Sequence, residues 1–252
     1  MVELFSEQFP EASEERSLLQ QLDPQRLPEH IAVIMDGNGR WAEARGFNRI
    51  EGHRRGTESA RVVTECAVQL GIRFLTLYMF STENWGRPKG EVRFLFNIFY
   101  EKLISEKKLL DDNGIRLAIL GDLDPLPVRL QKKLQTVIAD SAENNRMQLN
   151  LALNYGARLE LVRAMRLMIE KGTRSSDVTP ELISAHLYTA GIPDPDLMIR
   201  TSGETRISNF LLYQLAYSEL IFTPVLWPDF GIKDFLAAIL EFQHRQRRYG
   251  LI

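Results

Sequence analysis

Residues 28–41 read PEHIAVIMDGNGRW, and the parsing of that stretch decides the architecture. His30 to Met35 (HIAVIM) is a near-continuous apolar run of strand length, without the alternation of a strand that has one wet face. Such a run belongs to a strand covered on both sides. Asp36-Gly37-Asn38-Gly39-Arg40-Trp41 then turns tightly and leads into a helical segment. Outward from there the same grammar repeats. Arg73 to Phe80, Ile115 to Leu120, Gln148 to Leu153, Leu197 to Arg200 and Glu219 to Thr223 are further strand-length runs. Helical patterns fall between and after them, at about residues 53–70, 91–110, 127–143, 157–171, 180–188 and 231–246. The alternation predicts one α/β domain with a mostly parallel six-stranded sheet flanked by helices. Asn113-Gly114 should end a helix, and Thr179-Pro180 has the form of an N-cap followed by a first-turn proline.

Composition narrows the function. The chain has 252 residues, 44% hydrophobic and 25% charged, with 31 basic against 33 acidic residues for a net charge of −2. Disorder and a membrane bundle fit these values poorly, and a nucleic-acid partner is not expected of so neutral a chain. The single cysteine, Cys66, allows no internal disulfide, which fits a cytoplasmic location. No run approaches the ~20 apolar residues of a spanning helix, so membrane contact is expected to be transient at most. Residues 1–27 are rich in acids and are read as a mobile N-terminal extension, with the catalytic domain covering 28–252. Against the neutral total, Arg40, Arg45, Arg49, Arg54, Arg55 and Arg61 crowd together without a lysine, and Arg245, Arg247 and Arg248 close the chain.

In open parallel sheets ligands bind beyond the carboxyl ends of the strands. Asp36 to Arg40 there combine a glycine turn able to present N–H groups to an anion, a forked cation, and a carboxylate suited to a hard divalent ion. Ser81-Thr82-Glu83-Asn84-Trp85-Gly86-Arg87 follows the second strand, and Arg200 to Ser208 follows the fifth. Three arginine-bearing loops at strand ends converge on one edge. The segment Glu91 to Leu110 is apolar around most of its first half, which suits either a core helix or a helix lining an apolar cavity. Arginines, a metal-competent carboxylate and an apolar wall together fit an amphiphilic phosphate ester.

HIAVIMDGNGRWA with Gly52-His53, FSTENWGRP, LNLALNYG, IRTSGETRISNFLLYQLAYSEL and FTPVLWPDF resemble, in order, the motifs of the cis-prenyltransferases, above all the bacterial undecaprenyl diphosphate synthases. The similarity runs from about residue 28 to the C-terminus. It implies a transferase that adds isopentenyl diphosphate units to an allylic diphosphate, commonly farnesyl diphosphate, forming cis double bonds and releasing diphosphate. The expected product is undecaprenyl diphosphate, a cell-wall lipid carrier precursor, grown in an apolar tunnel beside the sheet. The resemblance also implies Mg²⁺ and a homodimer. The all-helical trans-prenyl synthases hold magnesium with DDxxD motifs, and Asp111-Asp112-Asn113-Gly114 lacks the third acid.

Carried over by position, Asp36 holds Mg²⁺ at the diphosphate and Glu219 is a second metal-linked carboxylate. Gly37, Asn38, Gly39 and Arg40 match the allylic diphosphate loop, with Trp41, Arg49 and His53 nearby. Arg200, Arg206, Ile207 and Ser208 match the isopentenyl diphosphate site, and Ser81, Thr82, Glu83, Trp85 and Arg87 the second substrate loop. Asn84 is the family's proton acceptor; an amide is a very poor base near neutral pH, so a positioning role, with diphosphate or water taking the proton, is chemically easier. Arg248 and Gly250 match an RxG ending that reaches the neighbouring subunit's site. The competing reading is a non-catalytic subunit that binds lipid diphosphates; an α/β hydrolase would need a nucleophile elbow that is absent.

Overall fold

A computed structural model describes residues 5–245. Six strands form one sheet: β1 (His30–Ile34), β2 (Phe74–Ser81), β3 (Ile115–Leu120), β4 (Met147–Tyr155), β5 (Leu197–Arg200) and β6 (Glu219–Phe222). Their spatial order is β3-β4-β2-β1-β5-β6, and every pairing is parallel. The apolar runs that announced them are explained by burial: all five residues of β1 are buried, as are eight of the nine of β4.

The helices are α1 (Glu14–Gln21), α2 (Asn38–Ala44), α3 (Arg49–Leu70), α4 (Lys89–Ser105), α5 (Lys107–Asp112), α6 (Val128–Asp140), α7 (Ala157–Glu170), α8 (Pro180–Ser184) and α9 (Ile232–His244). Local sequence sets several ends. Asn48 Oδ1 caps α3 by accepting the Glu51 N–H at 3.1 Å, and Gly71, at φ 86°, closes it. Thr179 caps α8 at 3.2 Å, with Pro180 in its first turn as expected. The segment expected as one helix over 91–110 breaks at Glu106 into α4 and α5, and the one expected over 180–188 is regular only to Ser184.

The two faces of the sheet carry different cores. Ile31, Val33, Leu75, Leu77, Leu117, Leu149 and Leu153 face the larger one, shared with α3, α4, α6 and α9. Ala32, Ile34, Ala152 and Met198 face the smaller, with Tyr155, Phe210 and Leu215. His30 belongs to a buried polar chain. Its Nδ1–H donates to Pro193 O at 2.6 Å, which leaves Nε2 to accept from Thr76 Oγ1 at 2.7 Å; Asn150 Nδ2 donates to that hydroxyl at 3.0 Å. Burial pushes the His30 pKa down to about 4, so the ring is neutral.

Within residues 1–27, α1 lies against α9, with Leu19 and Leu22 buried in the main core. Asp23 and Gln243 exchange hydrogen bonds of 3.0 and 2.8 Å, and Arg26 donates to Gln243 O at 2.6 Å. Cys66 is buried, as a small core residue should be. Among the described residues, no helix is long and apolar enough to cross a membrane.

Candidate active site

The carboxyl ends of β1, β2 and β5 meet at one edge, as the parallel register requires. Asp36 follows β1 and is anchored by its backbone: its N–H donates to Thr201 Oγ1 at 2.9 Å, and that hydroxyl donates back to Asp36 O at 2.7 Å. Its carboxylate accepts from Arg200 at 2.9 Å and lies 3.4 Å from Arg40. Partial burial alone would raise the Asp36 pKa, but the hydrogen bond and charge of Arg200 and the charge of Arg40 outweigh it. The group is held below the ordinary carboxylate range.

Arg200 is buried and also donates to Ser208 Oγ at 2.7 Å and to Arg206 O. Arg40 donates to Ser202 Oγ at 2.5 Å and pairs with Glu204 at 3.2 Å; Glu204 pairs with Arg206 as well. The first and fifth strand-end loops are thereby one cationic unit. Gly37 makes the turn possible: its φ is 107°, and a Cβ there would come within 2.9 Å of Leu226. Gly39 lies under the Arg49 guanidinium, which a Cβ would meet at 2.6 Å.

Glu91, in the first turn of α4, is the residue that sequence reading missed. Its carboxylate lies 3.5 Å from Arg49, 3.2 Å from Arg87 and 3.4 Å from His53. Arg49 and His53 come from α3 and Arg87 stands four residues ahead of Glu91, so the local sequence shows only the Arg87–Glu91 pair and not the cluster. Burial, with Arg87 and Arg49 nearby, pushes the His53 pKa down to about 4 despite Glu91.

A cavity of about 330 Å³ opens here and runs down the larger-core face of the sheet. Asp36, Asn38, His53, Ser81, Asn84, Arg87, Arg200 and Ser208 line its polar part. Leu95, Ile98, Phe99 and Leu103 of α4 line its apolar part with Leu117, Leu130, Leu134, Leu149, Leu151 and Leu153. The apolar girdle of α4 therefore serves both readings, core and cavity wall. Asn38 Oδ1, His53 Nε2 and Arg200 Nε are buried at the polar end without a protein hydrogen-bond partner. Each such atom costs ~1–3 kcal/mol, which a ligand at that position would offset.

Other expected residues stand beside this cavity without lining it. Trp41 is buried against Phe47, and its indole N–H donates to Asp229 at 2.7 Å. Glu83 and Trp85 sit on the 3₁₀ turn Thr82–Gly86, where Thr82 Oγ1 donates to Glu83 at 3.2 Å. Asn84, which does line the cavity, accepts the Ser81 N–H on its Oδ1 at 3.1 Å, so its amide shapes the turn. Ile207 packs against the smaller core. Arg54 and Arg55 are solvated. Arg248 and Gly250 lie outside the described residues.

The second expected metal carboxylate is not brought to the first. Glu219 opens β6 opposite Leu197, whereas Asp36 lies beyond Ile34, which pairs with Arg200. That puts them two strands apart, roughly 10 Å across the sheet, and farther along it; Glu219 pairs instead with Arg245 at 2.9 Å. Within one chain the two carboxylates therefore stand apart. Among the described residues no group of three or more His, Cys, Asp and Glu side chains could hold a metal. Asp36 alone fits Mg²⁺ only as an ion that takes its other ligands from phosphate oxygens and water, which is how Mg²⁺ is commonly held.

A family model described as putative undecaprenyl diphosphate synthase matches residues 34–250. The chain is 48% identical over 243 residues to an isoprenyl transferase of Heliobacterium mobile, covering 95% of this chain and 94% of that one. It is 47% identical over 227 residues to an isoprenyl transferase of Thermotoga maritima, covering 89% and 97%. Among solved structures, lavandulyl diphosphate synthase from Lavandula x intermedia, in complex with dimethylallyl diphosphate, superposes with a TM-score of 0.87. It is 38% identical, and the match covers 90% of this chain and all of that one. A probable undecaprenyl diphosphate synthase from Campylobacter jejuni superposes with a TM-score of 0.76 at 33% identity, covering 89% and 99%.

Proposed function

The chain belongs to the prenyltransferase family of undecaprenyl diphosphate synthases, and from that premise we propose that it condenses isopentenyl diphosphate repeatedly onto an allylic diphosphate, farnesyl diphosphate in the first instance. The proposed product is a long-chain polyprenyl diphosphate, undecaprenyl diphosphate, for a cell-wall lipid carrier. The supporting observation is the single cavity that joins Asp36, Arg200, Arg87 and His53 to a wall of leucines. A charged mouth suits the diphosphates, and the wall suits the growing chain.

In this reading the allylic diphosphate rests on Gly37, Asn38, Gly39 and Arg40, with Arg49 and His53 beside it. Isopentenyl diphosphate rests on Arg200, Arg206 and Ser208, closed over by Ser81, Glu83, Trp85 and Arg87. As the allylic C–O bond breaks, charge develops on the leaving diphosphate, and Arg40 and Arg200 are already fixed where it appears. The isopentenyl double bond then attacks the allylic carbon, and loss of a proton leaves the new double bond. Asn84, whose amide oxygen already accepts the Ser81 N–H, orients the turn; diphosphate or water takes the proton. Mg²⁺ held by Asp36 would supply further positive charge to the leaving group.

The neutral His53 has a consequence for the mouth. It offers a hydrogen bond without adding a third cation to Arg49 and Arg87, whose charges Glu91 and, at Arg49, Glu43 offset. The homodimer is proposed on the outer face of α7, where Leu159, Val162, Met165 and Ile169 are exposed at helical spacing.

The test is incubation of purified protein with labelled isopentenyl diphosphate and farnesyl diphosphate, with Mg²⁺ or with chelator, and chromatography of the products. Discrete long products that need Mg²⁺ are expected. Binding of both diphosphates without elongation would return the chain to a non-catalytic role.

A further inference from the structure

Two asparagines outside the binding residues tie down the Ser81–Arg87 segment, and both have left-handed backbones, Asn154 at φ 49° and Asn209 at φ 60°. At the end of β4, Asn154 Oδ1 accepts the Trp85 indole N–H at 2.8 Å, while its Nδ2 donates to Asp122 O at 2.7 Å. From the other side, Asn209 Nδ2 donates to Glu83 Oε1 at 2.7 Å. Asn209 also caps α7, whose own N-cap, Gly156, has no side chain. Its Oδ1 accepts the Arg158 N–H at 3.0 Å and its carbonyl the Ala157 N–H at 2.9 Å.

The junction is tight. A Cβ on Gly156 would come within 2.6 Å of Thr82 Oγ1 and 2.8 Å of Asn209 Nδ2. The 3₁₀ turn itself buries none of its residues, and Trp85 is 40% exposed. Trp85 packs on Phe80 and Phe96, with ring centroids 5.4 and 5.3 Å away, and the polar ties fix how its indole and the Glu83 carboxylate are oriented on that contact. Ser208, next to Asn209, accepts from Arg200. One short stretch thus holds a binding serine and, through Asn209, the Glu83 carboxylate.

We propose that Asn154 and Asn209 are positioning residues for the substrate loop: Asn154 fixes the Trp85 indole, and Asn209 locks the Glu83 carboxylate to the Arg206–Ser208 loop. The two sides of the isopentenyl diphosphate site then keep one spacing. The assignment rests on the elongation reading above. Asparagine suits both places because it adopts the left-handed region more readily than other side-chain-bearing residues and carries a donor and an acceptor together.

Asn209→Asp is the sharpest test, because it keeps shape, backbone preference and cap while turning the donor toward Glu83 into an acceptor. At pH 8 the facing carboxylates repel, and kcat/KM for isopentenyl diphosphate should fall about tenfold. Toward pH 6 the pair shares a proton, the hydrogen bond returns, and the deficit should shrink. Tyr78 is the other titratable group facing Glu83; burial and Glu83 push its pKa far above this range, so it does not contribute. Asn209→Gly should show a deficit that does not recover at pH 6. Asn154→Gly should shift Trp85 emission to the red and raise KM more than it lowers kcat. An Asn209→Asp deficit equal at both pH values, or glycine variants with wild-type KM and emission, would overturn the proposal. If Asn209→Asp does not fold, the glycine variants decide. Absence of elongation by the wild-type protein would refute the functional reading instead, and Trp85 emission in Asn154→Gly still reports on positioning.

Discussion

Asp36 concentrates the electrostatics of the mouth in one carboxylate. Asp36→Asn keeps the shape but removes the charge that faces the buried Arg200. Turnover should fall about 10²- to 10³-fold, the size of effect seen when one preorganised electrostatic partner is lost; single-turnover kinetics with circular dichroism as a fold check would measure it. The two depressed histidines act on stability. His30 and His53 have folded pKa values of about 4, below an unfolded value of 6.5. As pH falls through 6.5 the unfolded chain takes up protons that the folded chain refuses, so stability present above 6.5 is lost progressively toward pH 4. For the fully buried His30 the loss amounts to about 3 kcal/mol. Urea titrations at pH 7 and pH 4.5 should show it, and His30→Gln should flatten the slope.

At the scale of elements, the crossing of α2 and α3 depends on glycine. A Cβ at Gly52 would come within 1.9 Å of Asn38 O, and one at Gly56 within 2.2 Å of Asn38 Oδ1. Gly52→Ala must push α2 and its anion loop away, costing about 1–3 kcal/mol, which calorimetry would read as a lowered Tm. The apolar wall has an element-scale prediction too. Leu149 is four residues below Leu153 on β4, about 13 Å deeper from the mouth. Leu149→Trp should shorten the product while leaving the first condensation rate near wild type, as product chromatography would show.

The six strands were legible because each is a short run of strand length, several of them apolar along nearly their whole length, and their ends located the three loops that carry the polar site residues. The helix break at Glu106 was not legible, since Leu103, Leu109 and Leu110 continue the apolar periodicity across it. Glu91 was hidden for a different reason: only Arg87, four residues earlier, is its neighbour in sequence, and Arg49 and His53 of α3 meet it only in three dimensions. Glu219 shows the converse, a residue whose motif is clear but whose strand starts at the other edge of the sheet.

For the whole molecule, the exposed face of α7 is the feature to test. Leu159 is 58% exposed and Ile169 74%, an apolar stripe that a second copy would cover. The chain should sediment as a dimer, and Val162→Glu with Ile169→Asp should yield monomer with wild-type circular dichroism. If the partner's C-terminus completes each site, that monomer should also lose turnover. The strand order carries one more consequence, in time. β1 lies at the centre between β2 and β5, and the Asp36–Arg200 contact spans 164 residues of sequence. At ribosomal rates of about 5–20 residues per second, one edge of the first strand made waits roughly 10 to 30 s for its second neighbour. Through that interval the nascent chain carries a strand edge with unpaired backbone N–H and C=O groups between mostly apolar side chains, and the anion site is among the last parts of the protein to come into existence.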